Sequence, residues 1–198
     1  MLYCYHVGIC EVVHTDLCEE NLMSSVPKYL PNYTVADYQL WQGDWQLIDG
    51  VAIAMSPSPF GPHERIISRL SFEIQSATRS GKCPCEIYTA LDWIMNENTV
   101  VRPDLMVVCG QQPERHLERP PVLVVEVLSE STRRMDLIAK REHYREQKVP
   151  HYLIIDPIDR SIEHITAEGS SRHAADETIE FSLKPDCPVS IKCSRLFD

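Results

Sequence analysis

The sequence predicts an α/β fold, a β-sheet of mixed direction with helices on both faces. Three observations predict it. The segments "VVRPDLMVVC" (100–109) and "PVLVVEVLS" (121–129) are apolar on both faces, as central covered strands are. Apolar residues recur at helical spacing after Pro62, and a second helix is expected from about 131 to 148. The element order along the chain is helix, strand, strand, strand, helix, strand, strand. With 198 residues the chain suits one domain with a sizeable core. Its 43% hydrophobic and 24% charged residues are ordinary for a globular protein.

Residues 1–30 read as an N-terminal extension or linker, and residues 31–198 as the folded domain. "SSVPKYLPNYT" is a proline-containing connection, and Met23 offers an alternative start that would make the first 22 residues an addition. "YTVADYQLW" (33–41) reads as a short helix whose first turn is capped by the Thr34 hydroxyl. "WQLIDGVAIAM" (45–55) reads as a β-hairpin, with Asp49-Gly50 supplying the positive-φ turn. Pro62 then fits the first turn of a helix with an apolar stripe of Ile66, Ile67, Leu70 and Ile74, and Gly81 is its expected stop.

"EIYTALDWIM" (86–95) reads as one strand with Ile87, Leu91, Trp93 and Met95 on one face. The two covered strands follow, joined by the exposed connection "GQQPERHLERPP". After the second helix, "HYLIIDP" (151–157) reads as a buried strand and "RSIEHITA" (160–167) as its hairpin partner. Short strands are expected near 178–183 and 189–193.

No apolar run approaches the roughly 20 residues of a membrane helix, and the N-terminus lacks the basic region of a signal peptide. A cytoplasmic protein is expected. The eight cysteines contain no CxxC pair and no zinc-type ladder, which favours free thiols over disulfides or metal. The net charge of −10 excludes nucleic-acid binding through the overall field. A local basic patch is one possibility: Arg133, Arg134, Lys140, Arg141, Arg145 and Lys148 fall in one segment. A solvated helix face with Glu142 and Glu146 as counter-charges is the other.

The chemistry begins with Glu126, a carboxylate inside the apolar run "VLVVEVLSES". Buried there without compensation it would cost several kcal/mol. Asp104 opens the preceding covered strand. By alternation Asp104, Met106 and Val108 share a face, as do Val124, Glu126 and Leu128, so neighbouring strands would bring both carboxylates to one sheet edge. Two hard oxygen donors with a backbone carbonyl and water suit Mg²⁺ or Mn²⁺, which would also compensate Glu126. On the following helix Asp136 and Lys140 are four apart, and Tyr144 continues the stripe. Lys140 can then position a hydrolytic water and stabilise developing charge. A plain Glu126–Lys140 ion pair, an ordinary Asp136–Lys140 helix pair, and an Asp104 that merely opens a strand are the alternatives left open.

"RPD" (102–104), "VEVLSESTRRMDLIAKREHYREQKVPHYLIIDP" (125–157) and "LIDGVAIAMSPSPFGPHERI" (47–66) together resemble the Uma-type restriction endonuclease family of the PD-(D/E)XK nuclease superfamily. The resemblance spans about residues 33–165. It implies a restriction-endonuclease-like core, a mixed β-sheet flanked by helices, and metal-dependent hydrolysis of DNA phosphodiesters. It implies Asp104 and Glu126 as ligands of Mg²⁺, with the Val127 carbonyl as a third, and His63 as a first-helix histidine of the site. The lysine that the superfamily carries two residues after the glutamate is replaced by Leu128, and Lys140 takes its place from the next helix. The family glutamate before "LIDG" is Gln46 here, and another often found after the glycine is Val51. Gln46 still accepts hydrogen bonds but carries no charge.

Three readings follow: a Mg²⁺-dependent DNA endonuclease, a catalytically weakened nuclease fold that binds nucleic acid or protein, and a hydrolase of smaller phosphodiesters. Cutting both strands of DNA would favour a two-fold homodimer.

Overall fold

The structure, a computed structural model, describes residues 31–55, 61–81, 83–129 and 136–198. The expected extension at 1–30 and the start of the expected 131–148 helix lie outside the described residues. The first helix, α1 (Val35–Tyr38), is capped by Thr34 in a reciprocal box with Asp37: the Thr34 hydroxyl accepts from the Asp37 N–H, and the Asp37 carboxylate from the Thr34 N–H. Strands β1 (Trp45–Ile48) and β2 (Val51–Ala54) form the hairpin, with positive φ at Asp49 and Gly50. Helix α2 (Gly61–Ser80) buries Ile66, Ile67, Leu70 and Ile74, and Gly81 follows it.

The next two expected strands each break in two. Residues 86–95 divide into β3 (Cys85–Thr89) and β4 (Trp93–Asn96), and the break includes Ala90 at φ 53°. Residues 100–109 divide into β5 (Thr99–Val101) and β6 (Leu105–Cys109), with Pro103 between them unable to donate to a ladder. The breaks let the chain change sheets. A four-stranded sheet runs β2-β1-β5-β4, and a six-stranded sheet runs β10-β9-β8-β7-β6-β3. In the larger sheet β7 (Leu123–Val127) lies between antiparallel β6 and parallel β8 (His151–Asp156), with β9 (Ser161–Thr166) and β10 (Gly169–Ala174) completing one side. Between β7 and β8 the chain passes through a π-helical turn, Asp136–Lys140, into helix α3 (Arg141–Glu146). A separate hairpin of β11 (Thr178–Ser182) and β12 (Pro188–Lys192) and the short helix α4 (Ser194–Phe197) end the chain.

Strand β7 is covered on both faces, as its continuous apolar run requires. Its odd-numbered residues, Leu123, Val125 and Val127, pack with α2, β11 and β12. Val124 and, just beyond the strand, Leu128 pack with Trp93 of β4, Tyr144 of α3 and Tyr152 of β8. Glu126 shares the parity of this second face. A fully buried Leu or Ile is worth about 1.5–3 kcal/mol, so the α2 stripe is a principal source of the sheet's stability.

The free-thiol expectation fails for four cysteines. Cys85 pairs with Cys109, its register partner across β3 and β6, and Cys83 pairs with Cys187. Spacing concealed this because each cysteine of "CPC" finds a partner that is distant in sequence. With these thiols paired, the cysteines no longer argue for a reducing compartment. Cys193 is free and buried. Among the described residues no helix is long and apolar enough to cross a membrane.

Candidate functional site

The β6–β7 register pairs Leu105 with Val125 and Met106 with Val124, so one step further sets Asp104 opposite Glu126. The side chain of Asp104 confirms the approach: Oδ2 accepts a 2.7 Å hydrogen bond from the Val127 N–H, the peptide that follows Glu126. The same oxygen lies 3.2 Å from His63 Nε2 in the first turn of α2. Burial alone would lower the His63 pKa. Its hydrogen bond and charge interaction with Asp104, assisted by Glu64, outweigh that and raise it. His63 Nδ1 lies 3.4 Å from a Glu64 oxygen, without hydrogen-bond geometry, and has no hydrogen-bond partner among the described residues.

Glu126 is 1% exposed. Its Oε1 accepts two bonds, from Lys140 Nζ at 3.0 Å and from the Tyr144 hydroxyl at 2.6 Å. Lys140 ends the π-helical turn, and Tyr144, four residues later, lies in α3 on the same side. The Tyr144 ring stacks on Trp93, with centroids 5.8 Å apart, and meets Tyr152 edge-on at 4.9 Å. Among the described residues, the compensation that a buried Glu126 demands includes an ammonium and a phenol, both from the crossover to β8.

Gln46, on β1, is buried, and its Oε1 accepts from the Arg102 N–H at 3.3 Å. It therefore touches the Arg102-Pro103-Asp104 element rather than standing apart from it. Asp136 opens the π-helical turn. The wider turn replaces the α-helical spacing that the sequence suggested for Asp136 and Lys140. The described residues of the basic segment are largely paired with acids. Lys140 is buried on Glu126, Arg141 pairs with Glu163 at 2.9 Å, and Arg145 lies 3.8 Å from Glu142; Arg133 and Arg134 lie outside the described residues. Sequence reasoning missed a second network beside Asp104. Arg102 donates through Nε to Asp92 and through Nη1 to Asp44, both at 2.7 Å. Its only sequence signal was the arginine of "RPD", read there as part of a motif.

A family model described as "Uma2: Putative restriction endonuclease" matches residues 35–191. The chain belongs to the Uma2 family. The match covers every strand of both main sheets and the π-helical turn, so Asp104, Glu126 and Lys140 all lie within the Uma2 region. A solved structure, titled as a "putative nuclease belonging to DUF820" from Anabaena variabilis, is similar to this Uma2 chain with a TM-score of 0.70. The likeness covers 83% of this chain and 97% of that one at 15% sequence identity, and it supports the fold: a mixed β-sheet core flanked by helices. No curated protein matches the chain.

Proposed function

We propose that this Uma2 chain is a metal-dependent endonuclease hydrolysing DNA phosphodiester bonds, with Asp104 and Glu126 as ligands of Mg²⁺ or Mn²⁺. One observation carries the reading. Asp104 is held by the peptide N–H adjoining Glu126, which puts these two residues of neighbouring antiparallel strands at one end of the sheet. The donor chemistry fits, because Mg²⁺ is commonly held by one or two carboxylates together with water and phosphate oxygens. Among the described residues no group of three or more His, Cys, Asp or Glu is gathered as a ligand set. In this reading the side-chain share is the two carboxylates, and the Val127 carbonyl is the proposed third donor. When bound, a divalent cation supplies Lewis-acid polarisation of the scissile phosphate.

The chain's own groups do the rest in this reading. Val127 N–H and His63 orient Asp104. Tyr144 and Lys140 both donate to Glu126 within an apolar wall. Lys140 positions the hydrolytic water and opposes the negative charge that develops on phosphate. Gln46, an uncharged acceptor, fixes the backbone two residues before Asp104.

The test is nicking of supercoiled plasmid in Mg²⁺ or Mn²⁺ by wild type beside Asp104→Asn, Glu126→Gln and Lys140→Ala. Loss of at least about 100-fold in each variant is expected, from the scale of such catalytic groups. Equal nicking by wild type and Asp104→Asn would remove Asp104 from the chemistry. Calorimetric titration of Mn²⁺ into wild type and Asp104→Asn reads the metal directly.

A second reading is a weakened nuclease fold that binds nucleic acid or protein. Gln46 favours it, as does a Glu126 already compensated by Lys140 and Tyr144. It requires DNA or protein binding that survives Lys140→Ala, with no strand cleavage in Mn²⁺.

A further inference from the structure

Beside the Arg102-Pro103-Asp104 element lies a cleft of about 260 Å³ that the proposed hydrolysis leaves unused. Tyr38, Trp41 and Trp45 line it together with Asp92, Arg102 and His116. Two of the protein's three tryptophans are here. The rings brace one another edge to face: Trp41 stands 5.5 Å from Tyr38 and 5.9 Å from Trp45, centroid to centroid. Tyr38 is pinned by its hydroxyl, which donates to Asp92 Oδ2 at 2.9 Å and lies 3.1 Å from the Trp45 carbonyl. Trp45 is pinned through its indole N–H on the Gln42 carbonyl at 2.8 Å. These rings are a rigid platform rather than a loose apolar surface.

Charge narrows the occupant. Asp92 and Asp44 both pair with Arg102, so two carboxylates face one guanidinium and the cleft has no surplus positive charge. A phosphate is disfavoured there, whereas a neutral planar heterocycle suits it. The guanidinium uses Nε and Nη1 on these carboxylates, and its Nη2 makes no hydrogen bond among the described residues. That N–H group is a donor fixed in direction beside a stacking surface, which is what the edge of a base requires. Position narrows it further. Arg102 and Asp104 are two residues apart, so their Cα atoms are within about 7 Å of each other.

We infer that the cleft receives one unstacked nucleobase of the strand whose phosphate meets Asp104, making the preferred substrate single-stranded, frayed or looped nucleic acid. The inference rests on the nuclease reading for its link to Asp104. A base within an intact duplex hides both faces in its own stack and cannot enter without being extruded.

The experiment is fluorescence anisotropy with the full-length protein, in EDTA to prevent cleavage. Its probes are a labelled mixed-sequence 12-nucleotide single strand, the same strand without bases, and the corresponding duplex. Stacking of one base corresponds to about fivefold to hundredfold in affinity. Wild type should prefer the intact strand over the abasic strand and the duplex by that factor. Trp41→Phe should keep most of the preference and Trp41→Ala should lose it. A second readout needs no variant: the intact strand should quench tryptophan emission and the abasic strand should not. Equal affinity for intact and abasic strands in wild type, or an undiminished preference in a cooperatively folding Trp41→Ala, would overturn the inference. Plasmid nicking by wild type keeps the two proposals separate. If base preference persists in a wild type that nicks no plasmid in Mg²⁺ or Mn²⁺, the nuclease reading fails and the cleft stands. If plasmid is nicked while intact and abasic strands bind alike, the cleft fails alone.

Discussion

Glu126 and Lys140 illustrate what one residue can cost. Both are at least 97% buried, and each is the other's counter-charge. Removing one partner takes a buried counter-charge from the other, and breaking a buried pair typically costs about 3–5 kcal/mol, while replacing both with apolar side chains of similar size is often neutral. Lys140→Met should therefore destabilise strongly in urea denaturation, and Glu126→Leu/Lys140→Met should recover most of the loss. A double variant as unstable as the single one would show that the pair does more than balance charge. His63 supplies a pH-dependent term. Its native pKa lies above the ordinary 6.5, through Asp104 and Glu64 acting against burial. The pairing thus contributes stability that is fully present below pH 6.5 and is lost as pH rises through the native value. The stability gap between wild type and His63→Gln should be widest at acid pH and close towards alkaline pH. A gap that grows with pH would contradict the assigned shift.

At the scale of elements, tight turns set the register of the site. Gly50 has φ 77°, and a Cβ placed there would collide with Asn32 Oδ1. Gly50→Ala should cost about 1–2 kcal/mol from backbone conformation alone, and more if Asn32 cannot move. A thermal melt checks it. A neutral result would mean that the β1–β2 turn relaxes to another type. The same hairpin was legible in sequence because Asp49-Gly50 announces its turn chemistry locally. The capped α1 and the α2 stripe were legible for the same reason. The broken strands were not. Ala90 carries no signal for positive φ, and Pro103 read as a strand opening because the apolar pattern continues on both sides of it. What breaks those strands is pairing in two different sheets, a property of distant partners.

At the scale of the molecule, two disulfides tie distant segments together. Cys83–Cys187 spans 104 residues and joins the end of α2 to the β11–β12 hairpin, and Cys85–Cys109 spans 24. Chain-entropy estimates give about 4–5 kcal/mol for the longer closure and about 3–4 for the shorter. Cys83→Ser/Cys187→Ser should therefore lower the thermal midpoint more than Cys85→Ser/Cys109→Ser. Peptide mapping without reduction should recover these two cross-links. Free thiols at all four positions would restore the expectation drawn from spacing. The net charge of −10 also has its consequence here: under the proposed function, DNA would be held by a restricted surface rather than by the field of the whole protein.

The sequence by itself determined the α/β class and most of the elements, and it named candidate residues for the site, because periodicity, turn chemistry and the ordered motifs are local signals. It named Asp104, Glu126 and Lys140 as groups expected to converge. Only the tertiary structure decided what each of them touches: Asp104 on the Val127 N–H, and Lys140 and Tyr144 on a single oxygen of Glu126. It also decided which cysteines pair and where the aromatic cleft lies. Those outcomes depend on strand register and sheet order, which join residues far apart in the chain and leave no periodic trace in it.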